Sequence, residues 1–387
     1  MRITKFLKNK WTSKKTYEKT LNSIDNALSI NPAAYKDLDY FKTEKEKIFN
    51  NGWIPLGYTN HFNNGINIVE TNIHNTPVIL TKNRDNEINA FHNVCRHRGC
   101  KLIDKNQTKK IISCPYHKWS YTLDGELKGT PLFKSTKEFR KNNSLYPINI
   151  EINNNIIFGN LDGSQASPPP SISMKSAFKL LDEYPLKNCE IVKSKEYHVK
   201  ANWKLLIDNF IEYYHLPAVH PELVTSSGMD QHVCTQKEGK YISFKTDPIS
   251  QTDLPIDPSK MKPFSTINRY SKDKENLTNV AHFKALFPNM FFFLFPNHIF
   301  SVIVTPISPT ESVEKAVLMV EKNSLIPDNW VNKLFEFYDK VNIEDIEICE
   351  EVQKGIMSER YEGGVMVPKY ESTIHRYHKM LIEEMVR

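Results

Sequence analysis

No stretch of the 387 residues is apolar over the roughly 20 positions that a helix needs to cross a bilayer, so no membrane association is expected. The run from Met1 to Lys15 is basic but lacks the apolar centre and small-residue cleavage site of a secretory signal, and a cytoplasmic location is the expectation. Cysteine is sparse. Cys95, Cys100, Cys114, Cys189, Cys234 and Cys349 are too few and too scattered for a disulfide framework, which suits a reducing compartment. There is no internal repeat and no Gly-x-Gly-x-x-Gly dinucleotide fingerprint after a strand. The net charge of +6 is spread along the chain, densest at Lys8 to Lys15 and Lys42 to Lys47, without the aromatic-interleaved pattern of a nucleic-acid site. Such runs read as solvated surface, and a basic face would help an acidic partner to dock.

The remaining composition, 40% hydrophobic and 25% charged, is ordinary for a soluble chain of two or three domains. Two short motifs are not ordinary. Cys95-Arg96-His97 and Cys114-Pro115-Tyr116-His117 stand sixteen residues apart. A plant-type [2Fe–2S] site needs C-x4-C-x2-C. Cys95 and Cys100 have the first spacing, but no third cysteine follows in register. A structural zinc site of Cys2His2 type would put both Cys in one cluster and both His in the other, whereas each cluster here has one of each. The pattern that fits is the Rieske type, in which two His replace two Cys on one iron and raise the reduction potential. Cys95 and Cys114 would then hold one iron, and His97 and His117 the other. Gly99, Pro115 and the Asp124-Gly125 turn supply short loops that let paired ligands converge. Cys100 is expected to be a buried thiol.

From Ile54 to Phe158 short β-like runs alternate with turns: Ile66 to Val69, Thr76 to Leu80, Ile88 to Phe91, Lys110 to Ile112 and Ile156 to Phe158. Asp162-Gly163-Ser164 and Ser167-Pro168-Pro169-Pro170 then form a connector that cannot continue a strand. Beyond it, helices are expected at Met174 to Leu181, Trp203 to Tyr214 and Trp330 to Gly355, with strands at Glu190 to Lys200, Met290 to Phe295, Ile299 to Pro306 and Ala316 to Glu321. Gln231 to Val280 has little pattern and reads as a surface loop, with an insertion or mobile lid as the alternative. The fold class is α+β: an all-β domain carrying the cluster loops, then helices packed on an antiparallel sheet.

A second cluster of chemistry lies in Asp208-Asn209-Phe210-Ile211-Glu212-Tyr213-Tyr214-His215-Leu216-Pro217-Ala218-Val219-His220. An unbroken helix would separate His215 and His220 by about 140°, and Pro217 is expected to bend or end it so that both rings face one point. Two His alone read more readily as polar core groups. An electron carrier in the same chain changes that reading, because a mononuclear Fe(II) held by two His and one carboxylate leaves positions for dioxygen. The third ligand is expected to be Asp345, the acid on a helical stripe of Leu334, Val341, Cys349, Val352 and Ile356; the alternatives are Glu344 as the ligand or Asp345 as a salt-bridged structural acid. Glu344, Glu347, Glu350 and Glu351 are otherwise expected to be solvated.

Together these residues resemble the α-subunits of Rieske non-haem iron oxygenases, the aromatic-ring-hydroxylating oxygenase family. The likeness spans nearly the whole chain, from Phe49-Asn50-Asn51-Gly52-Trp53 through both sets of motifs to Glu344-Asp345 and Val352-Gln353-Lys354-Gly355. It implies a helix-grip-like catalytic domain with an antiparallel sheet, a [2Fe–2S] Rieske cluster and a mononuclear Fe(II). It divides the chain into a helical segment 1–45 packed on the catalytic domain, a Rieske domain 46–165 and a catalytic domain 166–387. It also implies a head-to-tail homotrimer in which Glu212, three residues before His215, bridges a cluster His of one subunit to an iron ligand of the next. Glu212 stands where ring-hydroxylating dioxygenases more often carry Asp. This feature, with Gly355 to Ser358, Tyr361 to Gly364, Glu371, His375 and His378, looks like the branch acting on choline, glycine betaine and carnitine. A quaternary ammonium substrate calls for an aromatic cage, for which Tyr213, Tyr214 and Phe291 to Phe293 are available, though such residues more often form core. The expected activity is O2-dependent hydroxylation or N-demethylation, with electrons from a separate NAD(P)H-dependent flavin or iron–sulfur reductase, with or without a ferredoxin. The alternatives are oxygenation of an aromatic ring and a pure electron carrier without mononuclear iron.

Overall fold

The computed structural model describes residues 9–161, 163, 167–182, 184–226, 232–235, 238–246, 264–265, 281–324 and 328–387. The first β region forms strands β1 (Ile54–Tyr58), β2 (Ile68–Ile73), β3 (Thr76–Lys82), β4 (Ile88–His92), β5 (Ile112–Ser113), β6 (Ser120–Tyr121), β7 (Leu127–Gly129), β8 (Pro147–Asn153) and β9 (Ile156–Asn160). They make a six-stranded sheet, β1-β9-β8-β4-β3-β2, and a three-stranded sheet, β5-β6-β7, with antiparallel neighbours throughout. The cluster loops leave β4 and β5 above a small core of Ile68, Ile79, Phe91, Ile112, Tyr121 and Leu127. Gly125 turns β6 into β7 at φ +79°, and a Cβ there would lie 2.4 Å from the Phe91 ring, so only glycine fits.

The connector ends where Pro170 opens a short helix, Pro170–Ser173, at a position whose missing N–H costs nothing. Asp162 and Ser164 lie outside the described residues. A second sheet follows, of β10 (Cys189–Val199), β11 (His232–Cys234), β12 (Tyr241–Thr246), β13 (Ala281–Leu286), β14 (Met290–Leu294), β15 (Ile299–Ser308) and β16 (Glu311–Glu321). Its order is β10-β16-β15-β14-β13-β12-β11, all antiparallel. Both faces of this sheet are covered. Phe291, Phe300, Val302, Val304 and Leu318 pack with the helices, while Phe292, Leu294, Ile303, Val317 and Met319 pack with Tyr58, Phe158 and Phe178. Burial on both sides explains why β15 reads as an almost continuous apolar run.

The stretch read as a surface loop holds β12, in which Tyr241, Ile242, Phe244 and Thr246 are buried. Most of the rest of that stretch lies outside the described residues. The helices are α1 (Leu38–Glu44), α2 (Trp203–Phe210), α3 (Leu216–Val219), α4 (Asp328–Ile356) and α5 (Ser372–Val386), with further short turns between them. Residues 9–44 lie against α5 and α2: Ile30 N–H donates to His378 Nδ1 at 3.2 Å, and Tyr35 O–H donates to Asp208 Oδ2 at 2.7 Å. Glu44 and Lys204 form a fully buried ion pair at 2.6 Å.

Candidate metal centres

At the first centre each cysteine opens a turn of the same kind. The Gly99 N–H donates to Cys95 O at 3.0 Å, and Lys118 N–H to Cys114 O at 3.1 Å. Both residues sit at positive φ, +71° and +59°. The first turn uses glycine and is legible in the sequence, whereas the second places a lysine there and is not. The turns face one another: the rings of His97 and His117 lie 4.6 Å apart, and both cysteines are buried. His117 Nδ1 is shielded from solvent without a hydrogen-bond partner, an arrangement suited to a ring nitrogen that serves as a metal ligand. Burial pushes the Cys95 thiol up, with the neighbouring Cys114 adding to it, while Tyr121 O–H at 3.4 Å and the backbone of His97 oppose the shift.

Three supporting residues escaped sequence reading. Asn93, buried, receives Leu102 N–H and Ile103 N–H at 3.0 Å each and donates to Ile103 O at 2.7 Å, closing the first loop. Arg96 donates to Ser144 O at 2.6 Å and lies over the Tyr146 ring. Trp119 stacks on His97 at 4.7 Å. Cys100 is only partly buried, and it takes part through its carbonyl, which accepts from Cys95 N–H at 2.8 Å.

At the second centre the expected helix Trp203 to Tyr214 stops at Phe210. The Glu212 carboxylate explains the break, because it accepts the backbone N–H groups of Tyr214 and His215 and so competes with helical pairing. Pro217 then begins α3 rather than ending a helix. His215 and His220 therefore flank a single helical turn, with ring centroids 5.4 Å apart. Asp345 reaches them from α4, and one ligand atom from each of the three residues lies within 4.8 Å of the others. Asp345 Oδ1 is 2.8 Å from His220 Nε2 and 3.5 Å from His215 Nε2. Neighbouring ligands on one small cation fall near these separations, given bonds of about 2.0–2.2 Å.

The other nitrogen of each ring is held. His215 Nδ1 lies 2.5 Å from Glu212 Oε1, and His220 Nδ1 lies 2.7 Å from Glu344 Oε2. A ring that donates Nδ1–H to a carboxylate keeps Nε2 free for a metal. Glu344 is thus not simply solvated, and Glu350 also has a partner, accepting Lys200 N–H at 2.8 Å. Asn209 Nδ2 donates to Asp345 Oδ1 at 2.6 Å. Burial works against charge on His220, but hydrogen bonds with Asp345 and Glu344 and their charges outweigh it and raise its pKa. The α4 stripe also differs in one place: Val352 is exposed and Gln353 is buried, its Oε1 accepting Asn202 N–H at 2.8 Å.

A cavity of about 120 Å³ opens on His215, His220 and Asp345. Phe210, Tyr213, Phe244, Phe283, Phe293, Phe295, Phe337 and Tyr338 line it. Of the residues considered for a cage, Tyr213 and Phe293 reach it. Tyr214 instead stacks on Tyr370, Phe291 lies behind Phe210, and Phe292 faces the opposite side of the sheet. Gly364, His375 and His378 hold the N-terminal segment rather than the cavity. Among the described residues no helix is long and apolar enough to cross a membrane.

Comparison with known proteins agrees with this architecture. Residues 52–140 match the Rieske [2Fe-2S] domain, and residues 186–386 match the ring hydroxylating alpha subunit (catalytic domain). The chain is 26% identical to the glycine betaine monooxygenase oxygenase subunit of Pseudomonas aeruginosa, covering 95% of this chain and 91% of that one. It is 24% identical to the carnitine monooxygenase oxygenase subunit of Acinetobacter pittii, covering 94% and 95%. The fold is similar to naphthalene 1,2-dioxygenase from Rhodococcus sp., with a TM-score of 0.80 at 17% identity over 97% and 99% of the two chains. The chain belongs to the ring-hydroxylating oxygenase α-subunits, with a Rieske [2Fe–2S] domain followed by a catalytic domain of the kind that binds mononuclear iron in that family.

Proposed function

We propose that this chain is the oxygenase subunit of a system that uses O2 to hydroxylate or N-demethylate a small quaternary ammonium compound of the glycine betaine, choline or carnitine class. The observation that carries the reading is the aromatic-walled cavity ending on His215, His220 and Asp345. Ring faces attract a cation, and the relatives named above act on compounds of this class by their own names. In this reading Cys95, Cys114, His97 and His117 hold the cluster, and His215, His220 and Asp345 hold the iron. Bound by these residues, the cluster would supply single electrons and the iron would supply a site for the reduction of O2. The chain's own residues do the positioning. Glu212 and Glu344 fix the two ring tautomers, Asn209 holds Asp345, and the aromatic wall keeps water from the substrate. Glu212 would also connect His215 to a cluster histidine of the neighbouring subunit in a homotrimer. Electrons come from a separate NAD(P)H-dependent reductase, with or without a ferredoxin.

The test is O2 uptake with a surrogate reductase against trimethylammonium compounds and aromatic acids. Uptake coupled to a trimethylammonium compound, with formaldehyde or an oxidised side chain as product, is expected, and ring-diol formation would overturn the substrate class. Iron content separates an oxygenase from an electron carrier. About three irons per chain are expected, two in the cluster and one mononuclear. Asp345→Ala should lower this to about two while the cluster spectrum persists; undiminished iron would move the third ligand elsewhere.

A further inference from the structure

Tyr338 lies on α4 two turns before Asp345 and lines the same cavity. Its ring stacks on Phe300 at 4.4 Å and 6°, which fixes its plane. Its hydroxyl lies 2.7 Å from His298 Nε2. His298 is buried, stacks on Phe295 at 4.6 Å, and places Nδ1 2.6 Å from Asn297 Oδ1. An amide oxygen only accepts, so Nδ1 carries the ring hydrogen. Burial pushes the His298 pKa down to about 3, so the ring holds one hydrogen and Nε2 is an acceptor. The Tyr338 O–H therefore donates to Nε2. Its hydrogen is turned toward His298, and the phenol offers the cavity only lone pairs and an electron-rich ring.

Resting on the quaternary ammonium reading above, we propose that His298 locks Tyr338 as an acceptor-only group and so makes this part of the cavity a cation-selecting subsite for the substrate's ammonium head. Tyr338 is then a specificity determinant, and His298, which acts through it, is a positioning residue. The lock works against groups that accept hydrogen bonds, such as a carboxylate, since Tyr338 has no hydrogen to give them. It favours a positive charge through both the oxygen and the ring.

The experiment uses the iron-loaded holoenzyme without O2 and reads binding by calorimetry. The probes are choline and its neutral carbon isostere, 3,3-dimethylbutan-1-ol, which share a shape and differ in charge. The expected preference for choline in the unaltered enzyme is about five- to twentyfold. Tyr338→Phe removes the oxygen, and His298→Leu frees the hydroxyl to turn into the cavity. Each should reduce the preference at least about threefold, mainly by weakening choline, with iron content and cluster spectrum unchanged. A ratio that stays the same in both variants, or one near unity in the unaltered enzyme, overturns the subsite while leaving the substrate class standing. If neither probe binds the unaltered enzyme, glycine betaine and its carbon isostere 3,3-dimethylbutanoate take their place; if no compound of the glycine betaine, choline or carnitine class binds, the quaternary ammonium reading falls and the subsite falls with it. Should His298→Leu not fold, Tyr338→Phe decides alone.

Discussion

Two carboxylates make the same contact at the candidate iron site, yet different consequences are expected when each is changed. Glu212 and Glu344 each hold the Nδ1 of one histidine, leaving Nε2 toward Asp345. Partners of this kind raise ligand basicity and fix the ring, and losing one lowers metal affinity about ten- to a hundredfold. Among the described residues Glu344 otherwise makes a partly exposed ion pair with Lys340 at 3.9 Å. Glu344→Gln should therefore weaken iron binding in a chelator competition by that factor while the cluster spectrum stays unchanged. Iron affinity equal to the parent would reduce Glu344 to a surface acid. Glu212 also receives two backbone N–H groups, which Gln can still accept in part. Glu212→Gln should lower iron affinity by a similar factor, keep both metals bound at saturating iron, and lose turnover, because the charge that would join two subunits is gone. Undiminished turnover would refute the connecting role. The residues that Cys-x-His, Cys-x-x-His and His-x4-His spacing picked out are the ones that the fold brings together. Their supports were hidden because Glu344, Asn209 and Asn93 reach their partners through the fold, and a polar residue's partner across the chain leaves no periodic trace.

Secondary-structure elements depart from local sequence rules where a tertiary contact intervenes. A proline rule alone predicts that Pro217 bends or ends a helix, but the Glu212 carboxylate takes the N–H groups that a continued helix would use, and Pro217 starts the next turn. The three phenylalanines Phe291 to Phe293 looked equivalent in sequence, yet strand alternation sends Phe292 to the other face of the sheet. The contact of α4 with β16 holds a buried titratable group. Glu314 on β16 is buried and accepts Asn342 Nδ2–H from α4 at 2.8 Å. Burial raises its pKa from 4.5 to about 7, the Asn342 donor lowers it, and the charge of Asp345 raises it again. An acid with a raised folded pKa keeps its proton in the native state after the unfolded chain has lost its own. Stability from this group is therefore unaffected well below pH 4.5 and falls as the pH climbs through the interval up to 7, by about 3 kcal/mol in all. Glu314→Gln keeps the hydrogen bond and removes the ionisation. Its melting temperature should exceed that of the parent at pH 8 and match it near pH 4.5. An equal gap at both values would mean that Glu314 is not the titrating group.

Across the whole molecule, the N-terminal segment is tied to the helix that precedes the proposed iron ligands. Glu44 at the end of α1 pairs with Lys204 in the first turn of α2 at 2.6 Å, Trp203 Nε1–H donates to Glu44, and Tyr35 and His378 converge on Asp208. Lys42 to Lys47 reads as a run of solvated charges, and nothing in one-dimensional pattern distinguishes a glutamate there that a lysine about 160 residues later will bury. Burial pushes Glu44 up and Lys204 down, and their mutual attraction opposes both shifts. Desolvation of two ions offsets much of their attraction, so the pair contributes little net stability, whereas removing one partner strands a charge in the core. Lys204→Ala should then cost about 3–5 kcal/mol in denaturant unfolding. Replacing both partners, with Glu44→Leu and Lys204→Met, should recover most of that loss, because two apolar side chains of similar volume need no counter-charge. If the double variant is as unstable as the single one, the pair is doing something that packing cannot replace. Because α2 leads directly into Glu212 and His215, chelator competition on the refolded double variant then asks whether the iron site depends on the ions or only on the position of the helix. Parent-like iron affinity is expected, since the apolar pair preserves that position.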